Sequence, residues 1–212
     1  MYKVYAFATP NSIKVLIGLE ELNLKYELIP VNVRKGEQKT PEHLARNPNG
    51  KVPVLVDEEL HAGNDALTES AAILVYLAER HGKLLPTMGM ARARVFEQLF
   101  FHASGIAPAF GQAGFFRKNA SEQLPLAIDR FQSEANRTVA LLDHVLARHQ
   151  YAAGDDYTIA DIAHFGWMWR REFANVTFDG LPHVARWFDA VAARPATQRA
   201  IKRAEALVPP QV

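Results

Sequence analysis

Residues 3–33 read KVYAFATPNSIKVLIGLEELNLKYELIPVNV, and the alternation inside this stretch decides the fold. Lys3 to Phe7 is a short β-type run, and Thr9-Pro10 supplies turn chemistry after it. Asn11 then opens a helix that carries Ile13, Leu16, Ile17 and Leu22 on one side. Tyr26 to Val33 reads as a second strand. A strand, a helix and a strand in that order imply parallel pairing, because parallel neighbours need a crossover connection.

Working outward, Val52 to Asp57 reads as a third strand and Glu59 to His61 as a fourth. Gly63-Asn64-Asp65 turns the chain into a helix from about Glu69 to His81, with Ala72, Ile73, Tyr76 and Leu77 as its buried stripe. The order β-α-β, then β-β-α, is that of a thioredoxin-like α/β domain, here expected over residues 1–82. The chain holds no cysteine, so it cannot be a self-sufficient dithiol oxidoreductase. Any sulfur chemistry has to use sulfur from a bound ligand.

Gly82-Lys83-Leu84-Leu85-Pro86 has the composition of a linker, whose bounds are set at residues 83–88, and the remainder, 89–212, reads as an all-α domain. Its helices are expected at about 89–117, 121–149, 158–173, 181–194 and 196–205. Thr158-Ile159-Ala160-Asp161 has the spacing of a capping box ahead of the apolar Ile162, Ala163 and Phe165.

Composition narrows the function classes. Lysine plus arginine number 24 against 23 aspartate plus glutamate, interspersed, so no basic stripe points to nucleic acid. No apolar run reaches the roughly 18–20 residues of a membrane span. The opening residues do not read as a targeting segment, and without cysteine there is no disulfide framework, so a cytoplasmic enzyme or binding protein is expected. The eight histidines never recur at i, i+4, and no metal site is expected. G-x-S-x-G and G-x-G-x-x-G are both absent.

The two-part organisation, with Thr158 and Asp161 in the second part, resembles the cytosolic glutathione transferase superfamily across essentially the whole chain. Thr9-Pro10-Asn11-Ser12-Ile13-Lys14-Val15, Lys35-Gly36-Glu37-Gln38, Asn47-Pro48-Asn49-Gly50-Lys51-Val52-Pro53 and Glu69-Ser70 look most like the bacterial Nu class, which is similar to the globular domain of the fungal nitrogen-regulator prion protein. The resemblance implies a glutathione transferase fold and a co-substrate, glutathione or its disulfide. It also implies disulfide-bond reductase activity, often with weak conjugation, and a homodimer.

The same resemblance assigns roles residue by residue. Val52 would pair its backbone with the cysteinyl part of glutathione, ahead of a cis Pro53; the plainer alternative is a trans proline at the start of an edge strand. Ser70 would take the γ-glutamyl carboxylate at a helix N-terminus while Glu69 meets the ligand's ammonium; Thr68 or Ser70 could equally be an ordinary cap. Thr9 and Asn11 would approach the ligand sulfur and stabilise its thiolate as neutral donors. Read without the resemblance, Asn11 or Ser12 is a helix cap and Thr9 a turn residue; Tyr5 and Ser12 are the other thiolate-stabilising candidates.

Gln38 and Lys51 fall where the family puts polar residues around the glycyl end, and either could instead be plain surface. Arg130 matches an arginine that reaches a ligand carboxylate; its alternative is an i, i+4 pair with Glu134. Phe110, Phe115, Phe116, Trp167 and Trp169 could wall a second-substrate pocket, although aromatics at helical spacing are more often core.

The expected function is a glutathione-dependent disulfide-bond reductase acting on a small disulfide. Two alternatives stand beside it. One is conjugation, isomerisation or dehalogenation of small electrophiles. The other is a non-catalytic interaction module that keeps the fold.

Overall fold

The computed structural model describes residues 1–59 and 66–208. By contacts it divides into two units, Met1–Lys83 with Arg194–Val212, and Leu84–Ala193.

In the first unit β1 (Tyr2–Ala6) is followed by α1 (Ser12–Glu21) and β2 (Tyr26–Pro30), and β1 and β2 pair in parallel from Tyr2↔Tyr26 to Ala6↔Pro30. Next come a 3-10 turn at Glu37–Lys39, α2 (Pro41–Arg46), β3 (Val54–Asp57), β4 (Ala66–Leu67) and α3 (Ser70–His81). The sheet order is β2-β1-β3-β4, with β3 antiparallel to both of its neighbours. Alternate residues of β1 are buried, and Val54 and Leu55 of β3, which point to opposite faces of the sheet, are both buried.

Three features depart from the sequence reading. The fourth strand is Ala66–Leu67; Glu58 and Glu59 form a turn after β3, and Leu60, His61 and the Gly63-Asn64-Asp65 turn lie outside the described residues. The short helix α2 is absent from that reading because six residues are too few to display a 3.6-residue period. Its start is capped by Thr40, whose hydroxyl accepts from the His43 amide.

The third departure concerns the chain end. The reading groups 89–212 together, whereas α9 (Pro195–Glu205) packs on α1 in the first unit. Arg194 grips the Glu21 carboxylate through two bonds of 2.5 and 2.9 Å, and Arg199 and Arg203 meet Glu20 at 2.7 and 3.1 Å. With α3 also against it, α1 is buried from Ser12 through Leu19.

The second unit contains α4 (Gly89–Phe101), α5 (Ala107–Lys118), α6 (Pro125–Leu146), α7 (Ile159–Trp169) and α8 (Pro182–Ala192). The continuous helix expected at 89–117 is broken by a π-helical turn at His102–Ile106. Pro108, in the first turn of α5, has no N–H to offer Ser104, and the wider turn falls just before it.

Phe110, Val139, Leu142, Phe165 and Trp187 form a fully buried core. The capping box at Thr158 and Asp161 is present, and Asp161 also accepts from the Ala152 amide and the Trp187 indole, both at 2.8 Å. Asp143 of α6 caps α8 by accepting from the His183 and Val184 amides at 2.9 and 2.8 Å. Among the described residues no helix is long and apolar enough to cross a membrane.

Candidate active site

Strand directions bring three separate pieces of the first unit to one end of the sheet. β1 pairs with β3 as far as Tyr5↔Val54, and β3 pairs with β4 at Leu55↔Leu67. Antiparallel pairing therefore sets the end of β1, the start of β3 and the end of β4 side by side. The chain leaving β1 carries Thr9 and Asn11, the chain entering β3 carries Lys51, Val52 and Pro53, and the chain leaving β4 carries Glu69 and Ser70. Phe7 and Val52 pack in one apolar cluster with Val31, which ties the first two pieces together. The Val52-Pro53 peptide bond is cis.

Thr9 and Asn11 organise the start of α1. The Thr9 hydroxyl accepts from the Ser12 amide at 3.1 Å and donates to Ser12 Oγ at 3.0 Å. Ser12 Oγ also receives the Phe7 amide at 3.4 Å, so this buried serine anchors the turn. Asn11 is the N-cap but makes no side-chain cap bond. Its Oδ1 instead accepts from Lys14 Nζ at 2.8 Å. With the carbonyl turned to an ammonium, the two N–H donors of the carboxamide point the other way.

Lys14 is 1 % exposed, and its Nζ also donates to Ser70 Oγ at 3.4 Å. Burial pulls this ammonium down to about 7, a change partly opposed by the nearby Glu69 carboxylate. One buried lysine thus joins the piece after β1 to the piece after β4.

The segment entering β3 is held by its own backbone. The Lys51 carbonyl accepts from His43 Nε2 at 3.0 Å and from Asn47 Nδ2 at 2.8 Å. Gly50 has φ +63°, a left-handed conformation that favours glycine, whereas the Lys39 side-chain end nearest to an added Cβ could swing away. The Lys51 side chain is exposed. Gln38 belongs to the 3-10 turn, and its Oε1 is buried with no hydrogen-bond partner. A buried acceptor left open in this way suits a ligand donor.

Glu69 is the N-cap of α3 with no side-chain cap bond, and its backbone stands at φ +65°, ψ 110°, a region that glutamate seldom occupies. Thr68 and Ser70 therefore do not cap α3, and the dipole end of the helix is open beside the Ser70 hydroxyl. Arg130 lies in the other unit. It is exposed on α6 and pairs with Glu134 at 3.8 Å, one turn away. Phe110 and Trp167 are core residues in edge-to-face contact.

Lys14, His43 and Asn47 are supporting residues to which sequence reasoning gives no role, whereas Ser12, a thiolate-stabilising candidate there, is buried and anchors the turn. Lys14 did leave a trace, as a lone cation between Ile13 and Val15, three residues after Asn11. Among the described residues no group of three or more histidine, cysteine, aspartate or glutamate side chains is placed to hold a metal.

Two family models match the chain: "Glutathione S-transferase, N-terminal domain" over residues 1–79 and "Glutathione S-transferase, C-terminal domain" over 106–195. The disulfide-bond oxidoreductase YfcG of Escherichia coli is 37% identical over 97% of this chain and 96% of its own. A glutathione transferase family member from Pseudomonas fluorescens, solved with two glutathiones bound, superposes with a TM-score of 0.86 at 38% identity, covering 94% of this chain and 92% of the other. One from Pseudomonas putida, with one glutathione disulfide per subunit, gives 0.85 at 35% identity, covering 95% and 90%.

Proposed function

The chain belongs to the glutathione S-transferase family, and on that footing we propose that it is a cytoplasmic, homodimeric disulfide-bond reductase of the Nu-class kind. It takes both reducing sulfurs from glutathione. The observation that carries this reading is the Asn11 carboxamide. Its carbonyl is occupied by Lys14, so its N–H donors are left for an acceptor at the sheet end where the other two site pieces meet.

In this reading Asn11 donates to the ligand sulfur from the start of α1, where the helix adds favourable potential for an anion. Thr9 supplies a second donor. Its hydroxyl donates to Ser12 Oγ at 3.0 Å, and on ligand binding that proton turns to the sulfur. Val52, ahead of Pro53, pairs its backbone with the tripeptide. Ser70 and the open start of α3 take the γ-glutamyl carboxylate, and Glu69 takes the ammonium. Gln38, through its open acceptor, and Lys51 serve the glycyl end, and Arg130 meets a ligand carboxylate.

The stabilised thiolate attacks one sulfur of the substrate disulfide, forms a mixed disulfide and expels the other sulfur as a thiolate. A second glutathione thiolate then attacks the glutathione sulfur of the mixed disulfide. The products are glutathione disulfide and two substrate thiols, and the two electrons come from the two glutathiones. The relatives solved with two glutathiones or one glutathione disulfide bound support that stoichiometry.

The test compares turnover of a small dialkyl disulfide with turnover of an aryl halide, for the wild type, Thr9→Ala and Asn11→Ala. Disulfide turnover is expected to dominate and to fall about 10- to 100-fold in Asn11→Ala, the worth of one charge-assisted bond. Unchanged turnover in both variants refutes the assigned roles. A faster aryl-halide reaction favours conjugation, and no heat of glutathione binding on calorimetric titration favours a non-catalytic module.

A further inference from the structure

We propose that Lys14 is a positioning residue for the reaction. By holding the carbonyl of Asn11 inward, it keeps the Asn11 N–H donors aimed at the ligand sulfur, and it couples that arrangement to Ser70 at the start of α3.

The geometry is specific. A carboxamide has two ends of similar size and opposite hydrogen-bonding character, and a turn of 180° about its last bond exchanges them. At a site meant to hold a thiolate, the wrong end puts a carbonyl oxygen against an anion. Nothing in the Asn11 backbone selects the right end, because Asn11 makes no side-chain cap bond. Lys14 Nζ, 2.8 Å from Oδ1, does select it while protonated, since an ammonium only donates. The same Nζ reaches Ser70 Oγ at 3.4 Å, so the cation keeps two ligand-facing groups in register although they are 59 residues apart in the chain (70 − 11).

The place of the residue strengthens the argument. Lys14 is on a helix buried from Ser12 to Leu19, with Ile13 and Val15 both fully buried beside it. A methionine or leucine would fill such a position without the desolvation that a cation suffers. A lysine kept under the site and bonded to two site residues is explained by what it orients.

This inference rests on Asn11 acting as a sulfur donor, and the experiment separates the two ideas. The thiolate fraction of bound glutathione is read from ultraviolet absorbance against pH in the wild type, Lys14→Met, Asn11→Ala and the double variant. Lys14→Met is expected to bind glutathione yet hold about three- to tenfold less thiolate at neutral pH. The double variant is expected to be no worse than Asn11→Ala alone, because Lys14 works through Asn11.

Losses that multiply in the double variant, or a Lys14→Met titration matching the wild type while Asn11→Ala falls, overturn the role of Lys14 alone. An Asn11→Ala titration matching the wild type overturns both ideas. A second measurement needs no variant. In the wild type, nuclear Overhauser contacts are expected between the Asn11 side-chain amide protons and the cysteinyl methylene of bound glutathione. Contacts from those protons to the Lys14 side chain instead show the amide reversed and overturn the proposal.

Discussion

Replacing Lys14 with methionine is expected to stabilise the chain at neutral pH, even though it removes the hydrogen bonds to Asn11 and Ser70. Burial lowers the Lys14 ammonium from 10.5 to about 7 in the folded chain, while the unfolded chain keeps the ordinary value. Below about pH 7 both states carry the proton, and the folded state bears the full cost of a buried charge. Between about 7 and 10.5 the folded state binds fewer protons than the unfolded state, so stability rises with pH; above 10.5 the cost is gone. At about 1.36 kcal/mol per pH unit, that gap is worth about 5 kcal/mol.

Losing the charge-assisted bond to Asn11 returns about 2 kcal/mol, and losing the longer one to Ser70 about 1 kcal/mol. The net gain for Lys14→Met is therefore about 2 kcal/mol at pH 6–7, shrinking to nothing or reversing toward pH 10. Urea denaturation midpoints of wild type and variant, measured at several pH values across that window, check both size and sign. A variant less stable than wild type at pH 7, or a difference that does not move with pH, refutes the reasoning. A gain in stability joined to a loss of thiolate is the pattern of a residue retained for function.

Other consequences can be measured directly. Asp161→Ala strands the Ala152 and Thr158 amides and the Trp187 indole, and should cost about 3–6 kcal/mol by urea titration; a loss under about 1 kcal/mol contradicts the network. Gly114→Ala puts a Cβ 2.0 Å from Phe173 Cε1, so a net loss of about 1–3 kcal/mol is expected despite the better helix former, whereas a gain means that the ring yields freely. Glu69→Gly relaxes the φ +65° backbone and should raise stability by about 1 kcal/mol while weakening glutathione binding severalfold in calorimetry. Unchanged binding there removes Glu69 from the site.

Much of this was open to a reader of the chain. The strand-helix-strand order of residues 3–33 and the Thr158–Asp161 spacing are local signals, set by side-chain periodicity and by hydrogen bonds between near neighbours. The end of β3 at Asp57 is equally plain, whereas β4, at two residues, is too short to show an alternation. Thr9, Asn11, Val52, Glu69 and Ser70 were named from their motifs, and the sheet register sets those pieces at a common end. His43 and Asn47 could not be found that way, because holding the Lys51 carbonyl needs no particular residue type at a particular spacing.

The amino-acid order by itself determined the element types, the turn residues and the lack of any sulfhydryl, since each depends on residues a few positions apart. Only the tertiary structure decided that α9 returns to cover α1, with Arg194 on Glu21, and that a lysine is thereby part of a helix buried along its first eight positions. Burial depends on which distant segments arrive on each face. The low polarity that turns Lys14 from a surface cation into a brace for Asn11 and Ser70 exists only after the chain has closed around it.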